Sequence, residues 1–233
     1  MKKTDTLLAN WTVTVTTPDA PWYTANLAAI DLEGSGAQDR EHEAILEIAV
    51  VPIHGGQPDL SDAYTTLVNP GRPIPRRPWI SAGLTSEALR TAPPLTTVEP
   101  ALATRLNGRY LVGHNIAVDW RLLHRRCPTI QPAGLIDTLR LARNLTLGTS
   151  NNLATLIDHL GLTAEVNTAA PGEQPHRALW DTTAAALLLG VLVVQTWSAP
   201  PPLSDLLRLA GLPINSQTSN GNPGPARDAD TLF

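Results

Sequence analysis

The sequence predicts an α/β domain built on a mixed sheet that is flanked by helices. Between Asn26 and Val68, three strand-like apolar runs follow one another and are separated by turn residues, which is typical of an antiparallel three-strand meander. From Ser86 to Trp197 helical and strand-like patterns alternate, which is how a sheet gains parallel strands. The two halves together imply one sheet with an antiparallel part and a parallel part.

The composition fits a soluble globular protein. The chain has 233 residues, of which 42% are hydrophobic, and a net charge of −4 that argues against a broad polyanion-binding surface but allows a local basic patch. A single cysteine, Cys127, excludes an internal disulfide framework and suits a cytoplasmic location. The longest apolar run, Ala184 to Val194, falls short of the roughly 20 residues of a membrane span, so we expect a buried helix and no membrane partner.

The first strand is expected to end at two acids, Asp31 and Glu33. Apolar residues predict a second strand over Ala44 to Ile53 and a third over Ala63 to Val68. The segment Arg72 to Pro78 combines three prolines with three arginines and predicts an extended loop.

Caps, glycines and prolines set the expected ends of the later elements. A strand is predicted over Tyr110 to Asn115, and Leu135 to Asn144 is expected to run from a strand end into a helix. The predicted helices are Ser86 to Thr91 with Thr85 or Ser86 as cap, Val98 to Leu106, Val118 to Arg126, Asn152 to Leu160, and Arg177 to Trp197.

Composition also predicts the domain organisation. Residues 1–22 are weakly patterned and form an N-terminal extension, with a short strand-like stretch from Trp11 to Thr17. The main domain then spans residues 23–198 and is followed by a short C-terminal helix within residues 199–212. The tail, residues 213–233, is rich in Gly, Asn, Ser and Pro and is expected to be disordered.

Two acids stand where burial is expected. Asp31 and Glu33 are two residues apart on a strand, so both carboxylates project from one face while Leu32 projects from the other. Burying two like charges without a partner costs several kcal/mol, and a divalent cation with oxygen ligands removes that cost. The alternative is an exposed edge strand whose acids are solvated.

Two further segments place acids at helix starts. In the run from His114 to Asp119, a carboxylate follows a buried strand, where ligand sites gather in such folds, although a favourable helix N-terminal charge is an alternative. In the run from His176 to Asp181, the histidine comes from a loop after Pro175 and the acid opens an apolar helix. Taken alone, His176 is equally explained as an exposed loop residue.

In combination, these segments resemble one family. D-x-E, H-N-x-x-x-D and H-x-A-x-x-D occur in the order seen in the DEDD superfamily of 3′–5′ exonucleases. The histidine in the last segment identifies the DEDDh branch, which includes the proofreading subunit of bacterial replicative polymerases. The runs Leu67 to Pro75, Gly83 to Thr85 and Leu111 to Asn115 are also similar, and the resemblance covers about Leu27 to Trp197.

The resemblance implies an RNase H-like fold and hydrolysis of phosphodiesters with two divalent cations, Mg²⁺ or Mn²⁺. It makes His176 the general base and implies four metal ligands, Asp31, Glu33, Asp119 and Asp181. It also implies a set of nucleic-acid-binding residues, Leu32, Gly36, Leu84, Thr85, His114 and Asn115. Val118 stands where the family commonly has Phe, which is expected to lighten the packing behind Asp119.

The expected substrate is the 3′ end of a single-stranded nucleic acid, DNA rather than RNA. Trimming of RNA or short oligoribonucleotides is the alternative reaction, and a non-catalytic nucleic-acid-binding module is the alternative class; a D-x-D phosphatase fits less well because the second acid is Glu33. Charge for the phosphate backbone is expected from either of two arginine groups, Arg72, Arg76 and Arg77, or Arg121, Arg125 and Arg126.

The tail carries one further hypothesis. It closes on Asp230-Thr231-Leu232-Phe233, and Phe233 is the only phenylalanine in the chain. A terminal Leu-Phe on a flexible tether is the form of short docking peptides, so the tail is a candidate for binding a replication partner, a polymerase or sliding clamp. The alternative is a random chain end with two apolar residues.

Overall fold

Seven strands form one mixed sheet in a computed structural model, which describes residues 17–214 apart from the side chains of residues 39 and 40. The sheet order is β3-β2-β1-β5-β6-β7, and β4 also pairs with β2. The strands are β1 (Leu27–Gly34), β2 (Ile45–His54), β3 (Gln57–Pro58), β4 (Tyr64–Leu67), β5 (Tyr110–Gly113), β6 (Gly134–Asp137) and β7 (Gly211–Leu212).

The strand directions confirm the predicted mixed sheet. β1 and β4 both pair with β2 in antiparallel fashion, which is the expected meander, and β5 and β6 run parallel to β1. The short β3 returns beside β2 through Gly55 and Gly56, whose positive φ angles of 59° and 83° suit a tight hairpin turn.

Eight α-helices flank the sheet in the described part of the chain, and five of them match the five predicted helices to within three residues at either end. The strand-to-helix prediction over Leu135 to Asn144 is also confirmed, whereas α6 was not predicted. The helices are α1 (Ser86–Leu89), α2 (Leu95–Leu106), α3 (Ala117–Arg126), α4 (Thr138–Asn144), α5 (Leu153–His159), α6 (Thr163–Ala169), α7 (Ala178–Thr196) and α8 (Leu203–Ala210).

Alternate residues of β1 lie in two different hydrophobic clusters. Leu27 and Ala29 belong to the cluster formed with α7 and its neighbouring helices, whereas Ala28 and Ile30 belong to the cluster formed with α2 and α3. This alternation is what a strand buried on both faces requires. Continued along the strand, it directs the side chains of the two following acids toward α7.

The helix α7 is long and apolar enough to cross a membrane by length and composition alone. Twelve of its residues are buried within the domain, where it packs against β1 and β2. The prediction of a buried helix here is therefore confirmed, and α7 serves as the central helix of one layer.

The chain after α7 returns to the sheet. α8 buries Leu203, Leu206 and Ala210, and it ends at Ala210 because Gly211–Leu212 pairs with β6 as strand β7. The backbone near Ala20 is bonded to this segment through the amide of Leu203. Residues 11–16 of the strand-like stretch predicted from Trp11 to Thr17, and the tail from residue 215 onward, lie outside the described residues.

Candidate active site

Three acidic side chains meet where β1 ends and α7 begins. Oxygen atoms of Asp31, Glu33 and Asp181 lie within 4.8 Å of one another. The two β1 acids point toward α7 because of the strand alternation, and Asp181 lies in the first turn of that helix. Carboxylate oxygens at this separation are the ligand set that hard divalent cations prefer.

Asp119 approaches the same strand from the opposite layer. It is buried in the first turn of α3, and its Oδ1 accepts a hydrogen bond from the backbone amide of Leu32 at 3.1 Å. This bond joins α3 to β1 between the two strand acids. All four acids named from the sequence are therefore brought to one end of β1, with Asp119 beside the group of three.

The four carboxyls have raised pKa values, chiefly because they are buried. Burial raises the pKa of Asp119 to about 8 and the pKa values of Glu33 and Asp181 to about 7. The pKa of Asp31 lies well above its ordinary value, because burial is joined by repulsion from the charges of Asp119, Asp181 and Glu33. Burial and mutual repulsion both disfavour the charged form of these acids, and a bound divalent cation would offset that cost. The site is therefore chemically suited to divalent cations.

Ser81 contributes a contact that the sequence analysis missed. Its hydroxyl donates to Oε2 of Glu33 at 2.7 Å, from the loop between β4 and α1, and opposes the effect of burial on the pKa of Glu33. No local pattern around Ser81 indicates a partner 48 positions earlier, so only the folded chain shows this contact.

Glu47 is a fifth acid at the site and was also missed. It lies opposite Glu33 in the β1–β2 register and is buried, but Arg177 pairs with it through Nε at 2.9 Å and Nη2 at 2.6 Å. The amide of Ala178 donates to the same carboxylate at 3.3 Å. A charged residue inside the otherwise apolar β2 was the available signal, because a buried charge requires a partner.

His176 lies in the loop before α7, as the proline before it led us to expect. Its side chain is exposed, its backbone has a positive φ of 67°, and its amide donates to Oδ1 of Asp181 at 3.3 Å. The left-handed backbone and this hydrogen bond set the imidazole beside the acids without burying it.

The residues proposed to bind nucleic acid differ in how exposed they are. Leu32 is partly buried against the α2–α3 cluster, and Leu84 is buried with Leu46, Ile74 and Leu89. Thr85 caps α1, with its hydroxyl accepting from the amide of Ala88. Gly36 lies just beyond the end of β1, with a φ of 97°. Leu84 therefore supports the loop from inside, whereas Thr85 remains exposed.

His114 and Asn115 follow the end of β5. Nδ1 of His114 lies 2.9 Å from the hydroxyl of Thr138 and Nε2 lies 2.8 Å from the carbonyl oxygen of Asn151, so both ring nitrogens are used inside the domain. Burial lowers the pKa of His114, which favours the neutral ring. Asn115 is exposed, with a φ of 63°, and is the more accessible of the two.

One of the two arginine groups holds the fold together. Arg121 and Arg125 form ion pairs with the buried Glu43 at 2.5 and 3.5 Å, and Arg126 donates to the carbonyl oxygens of Glu43 and Glu41. These contacts join α3 to the segment before β2. The arginines of α3 are therefore occupied within the domain.

The other group lies in the loop after β4. Arg72 donates to the carbonyl oxygen of His42 at 2.7 Å, whereas Arg76 and Arg77 are exposed. Val118, which was expected to lighten the packing behind Asp119, is 51% exposed.

A carboxylate cluster at the end of the central strand of a mixed α/β sheet is an arrangement suited to nucleases and other enzymes that act on phosphate esters with divalent cations. The chain belongs to the RNase_T family, whose model is described as an exonuclease and matches residues 28–189. The resemblance to DEDD exonucleases is thus confirmed at the level of the family.

Relatives with known names support this assignment. The chain is 33% identical over 150 residues to a PolC-type DNA polymerase III of Thermotoga petrophila, covering 62% of this chain and 11% of that protein. It is 26% identical over 215 residues to the 3′-5′ exonuclease DinG of Bacillus subtilis, covering 85% of this chain and 22% of that protein. It is 27% identical over 173 residues to the DNA polymerase III subunit epsilon of Aquifex aeolicus, covering 72% of this chain and 80% of that protein.

A solved structure shows the same fold. Exonuclease X in complex with 5′ overhanging duplex DNA aligns with a TM-score of 0.57 and 27% identity, covering 77% of this chain and 98% of that one. The chain spans only 11% to 24% of the length of the first curated relatives that it matches. The likeness therefore concerns only a part of those larger proteins.

Proposed function

We propose that this chain is a metal-dependent 3′–5′ exonuclease that hydrolyses the terminal phosphodiester bonds of DNA and releases nucleoside monophosphates. The observation that carries the proposal is the convergence of Asp31, Glu33, Asp119 and Asp181 at one end of β1, with pKa values raised by burial. The names of the relatives support the direction and the substrate, since one is called a 3′-5′ exonuclease and another is a replicative polymerase subunit.

Two divalent cations, Mg²⁺ or Mn²⁺, are the proposed cofactors. Asp31, Glu33 and Asp181 are the residues that would hold them, with Asp119 completing the set. When bound, such ions offset the negative charge that builds up on the phosphate during hydrolysis. The residues present fit this role because hard cations prefer carboxylate oxygens and because these buried or half-buried acids repel one another.

His176 is the proposed general base. Its imidazole is exposed to an incoming strand, and an ordinary histidine accepts a proton near neutral pH. As the water oxygen bonds to phosphorus, His176 takes its proton; the bond from phosphorus to the 3′ oxygen of the preceding nucleotide then breaks, and solvent protonates that oxygen. The Glu47–Arg177 pair holds the loop that carries His176. The pair therefore contributes by positioning this histidine and does not itself take part in the reaction.

The proposed substrate is a single-stranded 3′ end, and the proposed location is the cytoplasm, without a membrane partner. A polymerase or a sliding clamp is the proposed partner of the tail that ends at Phe233. The sequence supports these proposals, and the names of the DNA polymerase III relatives support a polymerase as partner.

An oligonucleotide digest tests the proposal. Single-stranded DNA labelled at its 5′ end should give a ladder of shortening products with Mg²⁺ or Mn²⁺, whereas 3′-labelled DNA should release a labelled mononucleotide at once. EDTA and the Asp31→Asn variant are the matched controls. The reverse labelling pattern would overturn the direction, faster cleavage of RNA would favour the exoribonuclease, and binding without cleavage would favour the non-catalytic module.

A further inference from the structure

Trp79 is an exposed aromatic side chain beside the acidic cluster. Its ring is 40% exposed, and its Nε1 donates to the carbonyl oxygen of Ser35 at 3.4 Å, two residues beyond Glu33. It is one of four large hydrophobic residues that are exposed within residues 17–214. The other three are Tyr23, Val118 and Val194. Of the two aromatic residues among them, Trp79 is the one hydrogen-bonded to the residue that directly follows β1, the strand that bears two of the site acids.

The loop that carries Trp79 is fixed at several points. Ser81 donates to Glu33, and Gly36 lies against the indole, where a Cβ atom would be 3.0 Å from Cδ1 and closer still to Nε1. Since Gly36 also has a φ of 97°, two separate features of the backbone favour glycine at this position. The indole is therefore placed by the fold, although much of its surface is open to solvent.

The charge beside the ring is positive. Cζ of Arg77 lies 5.3 Å from the ring centroid, and both Arg77 and the neighbouring Arg76 are exposed. Among residues 17–214, neither guanidinium forms an ion pair with a carboxylate, whereas Arg121 and Arg177 do so. A flat aromatic surface with an available cation is the chemistry that binds single-stranded nucleic acid by stacking and charge.

We propose that Trp79 stacks on a base near the 3′ end of the bound strand and that Arg77 pairs with an adjacent phosphate. The proposal rests on the proposed function, because it takes nucleic acid as the ligand of this site. Trp79 lies in the same loop as Ser81, whose hydroxyl donates to Glu33. A base stacked on Trp79 would therefore be held at a fixed place relative to the site acids. Stacking does not depend on base identity, so this contact would hold any sequence in place.

Binding of a 3′ phosphorothioate oligonucleotide, followed by fluorescence anisotropy in Ca²⁺, tests the proposal directly. Trp79→Ala should raise Kd about tenfold, the usual worth of a base stacked on an aromatic ring, while Trp79→Phe should retain most of the affinity. Tyr23→Ala is the matched control: Tyr23 is an exposed aromatic that lies beside Val194 and Trp197, at the other end of α7 from Asp181. Its Kd should be unchanged.

Abasic oligonucleotides separate stacking from a general loss of structure. An oligonucleotide lacking its last three bases should bind the wild-type protein about tenfold more weakly, and Trp79→Ala should then cause little further loss. Arg77→Ala should make the plot of log Kd against log salt concentration less steep, by the amount expected for the loss of about one phosphate contact. Equal Kd values for wild-type and Trp79→Ala, or an equal loss with intact and abasic strands, would overturn the proposal.

Hydrolysis is measured separately, so the two proposals fail separately. If the wild-type protein binds the oligonucleotide but cleaves nothing, the exonuclease proposal fails, and the binding data still decide the role of Trp79. If the wild-type protein binds no oligonucleotide at all, the stacking proposal is overturned. If it cleaves normally and Trp79→Ala has an unchanged KM, the enzyme function stands and the stacking role is rejected.

Discussion

Glu47 and Arg177 form a two-point ion pair that holds the start of α7 against β2. Because Glu47 lies directly opposite Glu33 in the sheet, this pair also places a positive charge next to a fifth carboxylate, whose own charge raises the pKa values of Asp31, Glu33 and Asp181. The position of Asp181, four residues after Arg177, thus depends on a residue of a different element.

Removing the charge of Glu47 should loosen the site. Glu47→Gln removes the charged two-point partner of the partly buried Arg177, and we expect a loss of about 2 kcal/mol in the free energy of unfolding, together with a lower kcat and little change in KM. Urea unfolding and steady-state kinetics measure these effects. Glu173→Gln is the control, since its carboxylate lies 3.8 Å from Arg177 and is more exposed. Equal effects of the two substitutions would contradict the role of Glu47.

Removing one site acid should abolish hydrolysis without unfolding the domain. Asp181→Asn takes away a proposed metal ligand, and in metal-free buffer at pH 8 it should raise Tm because it also removes repulsion among buried acids. Thermal unfolding in EDTA and the oligonucleotide digest measure the two results. Asp158→Asn, on the exposed side of α5, should change neither. Near-normal turnover in Asp181→Asn would refute the assignment of this residue as a metal ligand.

The metal-free protein should lose stability as the pH rises. Folding raises the pKa values of Glu33 and Asp181 to about 7 and that of Asp119 to about 8, so the folded state binds more protons than the unfolded chain above about pH 4. The free energy of unfolding contributed by these groups is therefore largest in acid, falls from about pH 4 upward, and levels off once the pH has passed 7 to 8. Thermal scans from pH 5 to 9 in EDTA should show this fall, and Mg²⁺ should reduce it. A Tm that rises across this range would contradict the prediction.

Loss of the imidazole of His176 should slow the reaction but spare metal binding. His176→Ala should lower kcat by about 10²- to 10⁴-fold, which is the usual worth of a positioned proton acceptor. Rapid-quench kinetics and calorimetric titration with Mn²⁺ measure the two properties. His159→Ala is the control, since His159 is exposed at the end of α5. If Mn²⁺ binding were lost instead, His176 would be a metal ligand.

Deletion of the tail should separate partner binding from catalysis. The cut is best placed after Ile214, because the indole of Trp120 donates to the carbonyl oxygen of that residue at 3.1 Å. The protein ending at Ile214 should hydrolyse oligonucleotides normally but should no longer be retained by an immobilised sliding clamp. Equal retention of the full-length and shortened proteins would reject the tail as a docking segment.

Local patterns predicted much of the fold, because strands, helices and their ends leave signals within a few residues. The alternation of β1 placed Asp31 and Glu33 on one face, and the first helical turns placed Asp119 and Asp181. The contact between Ser81 and Glu33 joins residues 48 positions apart and has no local signal.

The arginines of α3 show the same limit. Their clustering suggested a surface for phosphate, but the fold brings the buried Glu43 to Arg121 across 78 positions. A buried acid in one segment and a basic cluster in another each carry a signal, whereas their pairing depends on the complete fold.

The short strand β7 also protects the sheet. By pairing with β6 through Leu135 and Ile136, Gly211–Leu212 covers backbone groups that would otherwise lie at an open edge. Open edges recruit strands from other molecules and promote aggregation. A protein cut before Gly211 would therefore be expected to self-associate, even though every proposed catalytic residue would still be present.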